Sequence, residues 1–341
     1  MKKNKEAPLF FSRTWEFLEE YLPKQTEHSP ATVESYRDSL TLFRKFLTNH
    51  WHKSIATFKF SDCTKDCIYN FREHLQQNGN KPSTVNVRIT AIRTYLNYAA
   101  DRDISVQSVA LAISQIKPCK KIQKEQEILS EEALSAILAA PPQTKMGLRD
   151  RAILVTLYDS AVRLSELLAI KLGDIVLDGD FPYVFITGKG NKERTVQLTE
   201  KSVGHLKEYI RVCHPGSSRG TFLFSTTIKG KTDKMSSGNV QRLLKQYTDM
   251  ARKLCPDIPV SVHPHMFRRT RATNLYQDGV AIELVSTVLG HARVDTTKIH
   301  YAKPSIAQIR DALESVPTPV KDEEPLWMGN EEEMAHRCGL R

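Results

Sequence analysis

The sequence predicts a mainly α fold with a small antiparallel β-sheet, built as an N-terminal helical bundle followed by a mixed α/β domain. Three observations predict it. Apolar residues recur at three- and four-residue steps through most of the chain, which is the period of a helix with one buried face. Strand-like runs are confined to residues 174–197. A basic stretch at 117–128 carries no amphipathic pattern and separates two patterned halves. At 341 residues the chain is long for one domain, and its 40% hydrophobic content is enough to build two cores.

The first helix is expected over 29–48, with Ser29 as N-cap and Pro30 in the first turn. Val33, Tyr36, Leu40, Phe43 and Leu47 form its apolar stripe, and Arg37, Arg44 and Lys45 fall off it. A second helix runs from Asp62 to Gln77 and stops at Asn78-Gly79-Asn80, a C-cap and turn cluster. A third begins near Pro82-Ser83 and ends at Ala100, with Lys81, Arg88 and Arg93 away from its apolar set. These make residues 8–116 a small bundle. Residues 117–128 read as a linker.

In the second domain, 129–315, Ser130 followed by Glu131 and Glu132 starts a helix that ends before Pro141-Pro142. The next helix spans Arg149–Ala161. Strands are expected at Asp174–Leu177, Tyr183–Thr187 and Arg194–Gln197, with Gly188-Lys189-Gly190-Asn191 turning the last two into a hairpin. Helices follow at 200–213, 236–254, 264–277, 281–289 and 295–314. The last residues, 316–341, are acidic and interrupted by Pro317, Pro319 and Pro325, and read as a flexible tail in which Trp327 and Met328 are possible anchors for a contact.

Charge suggests a polyanionic partner. Residues 1–128 hold 20 basic against 14 acidic side chains, 129–315 hold 26 against 19, and the tail holds 3 against 6. Both folded parts are therefore basic, as a phosphate-binding surface requires, although charge alone fits a soluble basic protein equally well. The six cysteines are scattered without zinc-like spacing, so neither a metal nor a disulfide is expected, and no cofactor motif is evident. No signal peptide and no membrane-length apolar run is recognised, which points to the cytoplasm.

Six residues of the second half carry chemistry. Arg163 lies in Ala161-Val162-Arg163-Leu164-Ser165-Glu166-Leu167 and Lys189 in Gly188-Lys189-Gly190-Asn191-Lys192-Glu193-Arg194. His265 and Arg268 lie in His265-Met266-Phe267-Arg268-Arg269; His291 closes Leu289-Gly290-His291, and Tyr301 follows ten residues later. Attack on a phosphodiester needs a nucleophile, donors for the non-bridging oxygens and a proton for the leaving oxygen. Arginine's planar fork suits the second task. His265 and Arg268, three apart at a helix start, share a face and can meet one phosphate. Each residue alone has a plainer reading: a surface ion pair for an arginine, a helix cap for His291, a hairpin turn for Lys189.

In this order and context the residues resemble the tyrosine recombinase (phage integrase) family, from about Phe11 to Ser315, and the compact chain resembles its Xer-like or mobile-element integrase members. The resemblance implies a SAM-like core-binding domain at the N-terminus and a tyrosine recombinase catalytic domain after it. It implies that Arg163 and Arg268 clamp the scissile phosphate, Lys189 protonates the leaving 5′ oxygen, His265 moves a proton at the tyrosine or assists the phosphate, and His291 hydrogen-bonds it. Tyr301 would be the nucleophile, giving a 3′-phosphotyrosine that stores the bond energy, so that no ATP is needed. One departure stands out: many relatives carry the tyrosine nine residues after this histidine, where this chain has His300, and one residue turns a helical side chain by about 100°. Arg269 stands where many relatives have histidine.

The partners implied are double-stranded DNA, bound by a homotetramer in the synaptic complex and met by a monomer or dimer, with accessory recombinases or directionality factors and no membrane. Arg37, Arg44, Lys81, Arg88, Arg93, Lys192, Arg194 and Arg271 are the expected DNA contacts. Glu166 and Asp174 are secondary candidates, Glu166 as a carboxylate that orients a guanidinium. A type IB topoisomerase-like enzyme and a non-catalytic DNA-binding protein remain as alternatives.

Overall fold

The computed structural model describes residues 8–120, 127–188, 193–290, 293–301, 304, 306–315 and 331–340. The chain divides into two compact units, Met1–Glu125 and Gln126–Arg341.

The regular elements of the first unit are helices, with an isolated β-bridge between Leu9 and Lys59. Helices α1 (Pro30–Trp51), α2 (Lys65–Gln77), α3 (Pro82–Ala100) and α4 (Gln107–Ser114) enclose its core. Ser29 and Thr64 accept from the backbone N–H of Thr32 and Cys67, and so cap α1 and α2. Ahead of them lies an irregular helical stretch, Phe10–Gln25, that passes from 3-10 through α to π geometry, with Pro23 inside its last part. The core is aromatic: Phe10, Phe17, Phe43, Phe58, Phe71, Tyr95 and Tyr98 are all fully buried. Tyr95, at the centre, donates its hydroxyl proton to the Phe10 carbonyl and so joins α3 to that opening stretch. Cys63 and Cys67 are buried in the same core, and burial pushes both thiols up, Cys67 to about 12.

In the second unit, α5 (Glu131–Ala139) is capped by Ser130, and α6 (Lys145–Asp159) by Thr144. α6 starts four residues before the expected Arg149, because the Thr144 cap overrides the weaker pattern of the first turn. Helix α7 (Leu164–Ala169) follows, then strands β1 (Ile175–Val176), β2 (Tyr183–Thr187) and β3 (Glu193–Gln197) in one antiparallel sheet of order β1-β2-β3. Tyr183 pairs with Gln197 and Thr187 with Glu193, so the hairpin connection is 188–192. Val184, Ile186 and Val196 point into the main core, which α8 (Glu200–Cys213) also covers.

A second hairpin, β4 (Ser225–Ile228) with β5 (Lys231–Lys234), was not expected from the sequence. Its strands are polar and largely exposed, so no alternating apolar signal marks them; Lys229 and Gly230, both at positive φ, make its turn. Helices α9 (Ser237–Ala251), α10 (Pro264–Gln277) and α11 (Ile282–Leu289) follow. The single helix expected over 295–314 is two: α12 (Val294–Tyr301) and α13 (Ile306–Glu314). Pro304 stands between them, with no N–H to give to a helix and a ring that collides with the preceding turn. In the tail expected to be flexible, α14 (Glu331–Arg337) is helical, with three glutamates in its first turn and His336 and Arg337 in its last, where each complements the helix dipole. The proposed anchors Trp327 and Met328 lie outside the described residues.

Candidate functional site

The site forms where the turn after α6, the start of α10 and the end of α12 converge. Ala161, in that turn, takes a left-handed backbone (φ 50°) although it has a side chain, at a cost of roughly 1 kcal/mol or more. The turn aims the Ala161 carbonyl at Arg268, whose Nη1 donates to it at 2.5 Å while Nη2 donates to the Leu289 carbonyl at 2.7 Å. Arg268 is 1% exposed, yet it is a charge. Burial first, and then repulsion from Arg163, push its guanidinium down to about 10, and Tyr301 and Glu166 oppose the shift.

Tyr301 closes α12 beside Arg268, and the nearby phenol favours the charged form of the guanidinium. Its ring packs into a small apolar cluster with Ala161, Ala272, Val285 and Leu289. The one-residue departure therefore does not carry Tyr301 away from the site: the short helix α12 brings it onto the buried arginine.

Arg163 is the N-cap of α7, and Glu166 completes the cap by accepting from the Arg163 backbone N–H at 2.9 Å. The same carboxylate accepts from Arg163 Nη1 at 2.8 Å and from Arg194 Nη2, on β3, at 2.9 Å. Burial by itself would raise the Glu166 carboxyl, but hydrogen bonds from Arg194 and Arg163 outweigh it and hold the group at about 2. The Arg163 side chain keeps 42% of its surface exposed, whereas Arg194 keeps 19%.

A cleft of about 450 Å³ opens between these elements, lined by Arg163, Ser165, Gln241, His263, His265 and Arg268 among others. His265 sits at its rim. Desolvation, then the positive charges of Arg268, Arg269 and Arg163 with His263 beside it, push its imidazole down to about 4, so the ring is neutral at pH 7 with a lone pair to accept a proton. Its ring lies nearly parallel to that of His263, 6.5 Å away. Gln241, from α9, and His263 were not expected in this role. No spacing in the sequence points to Gln241, and His263, five residues before Arg268, stands at an offset to which the resemblance gives no role. The arrangement suits a tetrahedral anion: two guanidiniums, neutral imidazoles and an amide face the cleft, and no acidic side chain is among its described lining residues.

Three expected site residues, Lys189, Lys192 and His291, lie outside the described residues. Of the expected DNA contacts, Arg44 and Lys81 are exposed. Arg37 is instead paired with Glu19 and Glu34, and Arg88 donates to Asn80. Arg93 is turned inward to the carbonyls of Ile113 and Ile116 at the end of α4, where orphan acceptors need donors. Arg194 faces Glu166, and Arg271 lies over the ring of Tyr158 in a different groove, 5.3 Å from its centroid. The secondary candidate Asp174 is also away from the cleft, capping a 3-10 turn through the Lys171 N–H. Among the described residues no cluster of three metal-ligating side chains occurs, and no helix is long and apolar enough to cross a membrane.

Residues 127–307 match the Phage integrase family, and residues 16–103 match the phage integrase N-terminal SAM-like domain. The chain is 29% identical to tyrosine recombinase XerC of Staphylococcus epidermidis over 289 residues, 85% of this chain and 92% of that protein. It is 30% identical to tyrosine recombinase XerA of Thermococcus kodakarensis over 253 residues, 74% of this chain and 82% of that one. Its fold is similar to that of the XerH site-specific recombinase bound to palindromic difH substrate in a post-cleavage complex, with a TM-score of 0.66 and 20% identity, covering 87% of this chain and 83% of XerH.

Proposed function

The chain belongs to the phage integrase family, and we propose from this premise that Tyr301 is the nucleophile with which it breaks and rejoins DNA at specific sites. It is a tyrosine-type site-specific recombinase. The likeness to recombinases extends over both units, and it does not favour the topoisomerase-like or non-catalytic readings.

The single observation that carries the assignment of the nucleophile is the burial of Tyr301 beside Arg268, in a cluster with Ala161 and Leu289, whose carbonyls Arg268 holds. The scissile phosphate enters the cleft and takes hydrogen bonds from Arg163 and Arg268, which stabilise charge on its non-bridging oxygens. Neutral His265 accepts the phenol proton as the Tyr301 oxygen forms its bond to phosphorus. The bond to the 5′ oxygen breaks, and that oxygen takes a proton from Lys189 to leave as a hydroxyl. His291 adds a hydrogen bond to the phosphate. The product is a 3′-phosphotyrosine, and attack by a 5′ hydroxyl from a partner strand reverses the sequence, so no nucleotide cofactor is consumed.

Exchange between two duplexes requires several protomers, and we assign a tetramer on paired sites, assembled from monomers or dimers, acting in the cytoplasm to integrate, excise or resolve a mobile element. Exposed Arg44 and Lys81 supply phosphate contacts from the first unit. The test is a nicked duplex carrying the site found by footprinting DNA beside the native gene. A covalent protein–DNA adduct is expected, absent in Tyr301→Phe. An adduct that persists in Tyr301→Phe rejects this nucleophile.

A further inference from the structure

Arg194 was expected to touch DNA, and its surroundings give it a different task. Its fork closes on Glu166, with Nη2 to Oε2 at 2.9 Å and Nη1 to Oε1 at 3.3 Å. Glu166 Oε1 is the same atom that Arg163 Nη1 approaches at 2.8 Å. On its other side Arg194 lies against Gly290, the left-handed C-cap of α11 (φ 63°, ψ 43°). A β-carbon at Gly290 would come within 2.6 Å of Arg194 Nε, so the arginine fills the space that glycine leaves open. Arg194 thus joins β3, α7 and the residue before His291.

The electrostatic consequence is specific. Arg163 beside Glu166 alone is a neutral pair, and a neutral pair offers little to a phosphate. With Arg194 on the same carboxylate the three side chains carry one net positive charge. The exposed member of the trio is Arg163, so the charge is presented at the cleft.

We propose that Arg194 is a positioning residue that shares the Glu166 carboxylate so that Arg163 keeps an un-neutralised guanidinium aimed at the scissile phosphate. Glu166 sets the direction of Arg163, and Arg194 prevents it from cancelling the charge. This rests on the clamp role of Arg163 proposed above.

The test measures single-turnover adduct formation on the nicked duplex for wild type, Arg194→Ala, Arg194→Lys, Glu166→Gln and the double variant Arg194→Ala/Glu166→Gln, with thermal melting and DNA affinity against salt for each. Wild-type adduct formation, and its loss in Arg163→Ala, report on the underlying reading independently of Arg194. Arg194→Ala is expected to slow cleavage about ten- to a hundredfold, as misplacing a reacting group by about 1 Å does. DNA affinity should fall modestly in Arg194→Ala and its salt slope by up to about one, because the Arg163–Glu166 pair is then neutral, and the double variant should restore both. Arg194→Lys should recover part of the rate, since it restores the charge without the fork. Glutamine at 166 keeps the helix cap and removes the charge that Arg194 counters. The double variant should therefore cleave faster than Arg194→Ala alone. A double variant no faster than Arg194→Ala overturns the proposal. So does a salt slope that falls in Arg194→Ala and is not restored in the double variant, which would make Arg194 a direct phosphate contact. A variant that melts earlier but cleaves at the wild-type rate while folded overturns it as well. A final arm replaces the leaving 5′ oxygen by sulfur, which departs without a proton donor. The Arg194→Ala defect should persist there, and full rescue would assign Arg194 to the leaving-group proton instead.

Discussion

Arg268 lies beside Tyr301, a residue 33 positions further along the chain, and its guanidinium holds the carbonyls of Ala161 and Leu289. One buried cation thus ties three backbone segments to the proposed nucleophile. The proposed phosphate donor is buried beside the proposed nucleophile, and this separates the roles of the two clamp arginines.

Arg268 should matter to the fold as much as to catalysis. Arg268→Ala leaves two buried carbonyls without donors, each costing about 1–3 kcal/mol. We expect a clear fall in thermal stability together with loss of adduct. An Arg268→Ala protein that melts with the wild type would contradict the geometry.

Arg163 should behave in the opposite way. It is largely exposed, and Glu166 remains paired with Arg194 when it is removed. Arg163→Ala is expected to change stability by less than about 1 kcal/mol, the range of exposed ion pairs. Cleavage should fall about 100- to 1,000-fold, as when one donor to a transition-state oxyanion is lost. Circular dichroism melts beside single-turnover cleavage decide this.

Acid should destabilise the catalytic unit in two windows. The His265 ring binds a proton near 6.5 when unfolded but only near 4 when folded, because burial, Arg268, Arg269, His263 and Arg163 disfavour its cation. The unfolded chain then holds the extra proton between those values, and stability is lost as pH falls from about 6.5 to 4. Glu166, held at about 2, contributes stability that is present above its usual carboxylate range and lost as pH falls from about 4.5 toward 2. His265→Asn should flatten the upper window and Glu166→Gln the lower one, read as melting temperature against pH.

Gly290→Ala should harm the site without touching the cleft directly. The residue takes positive φ, and its new methyl would press on Arg194. A stability loss of about 1 kcal/mol is expected from the backbone alone. Cleavage should fall further than that loss explains, because Arg194 is displaced from Glu166. Unchanged cleavage by the folded variant would show that Arg194 has room to move.

Charge reversal on the first unit should act through affinity. Arg44→Glu or Lys81→Glu is expected to weaken DNA binding on every sequence and to lower the salt slope by about one each. A mobility-shift titration at several salt concentrations measures both effects. Arg93→Ala should instead destabilise the bundle, since its guanidinium serves the end of α4.

The chemistry-bearing residues were legible in the sequence because their short contexts are local. Ser29 and Ser130 mark helix starts through hydrogen bonds spanning three residues, whereas the caps Thr64 and Thr144 were passed over, and β2 and β3 show through side chains that alternate into the core. The hairpin β4–β5 left no trace, since a strand with no buried face has no alternation to read. The break between α12 and α13 was written in Pro304 and overlooked beneath the apolar periodicity on either side.

By itself the sequence determined most of the long helices and where several of them begin, and it nominated six side chains for the reaction. Only the tertiary structure decided that Tyr301 meets Arg268 despite its shifted spacing, that Arg194 turns to Glu166 rather than outward, and that Gln241 and His263 line the cleft. The physical reason is range. Caps and periodicity act within a few residues along one backbone, whereas the partner of a guanidinium is chosen by packing between segments that approach one another only when the core closes.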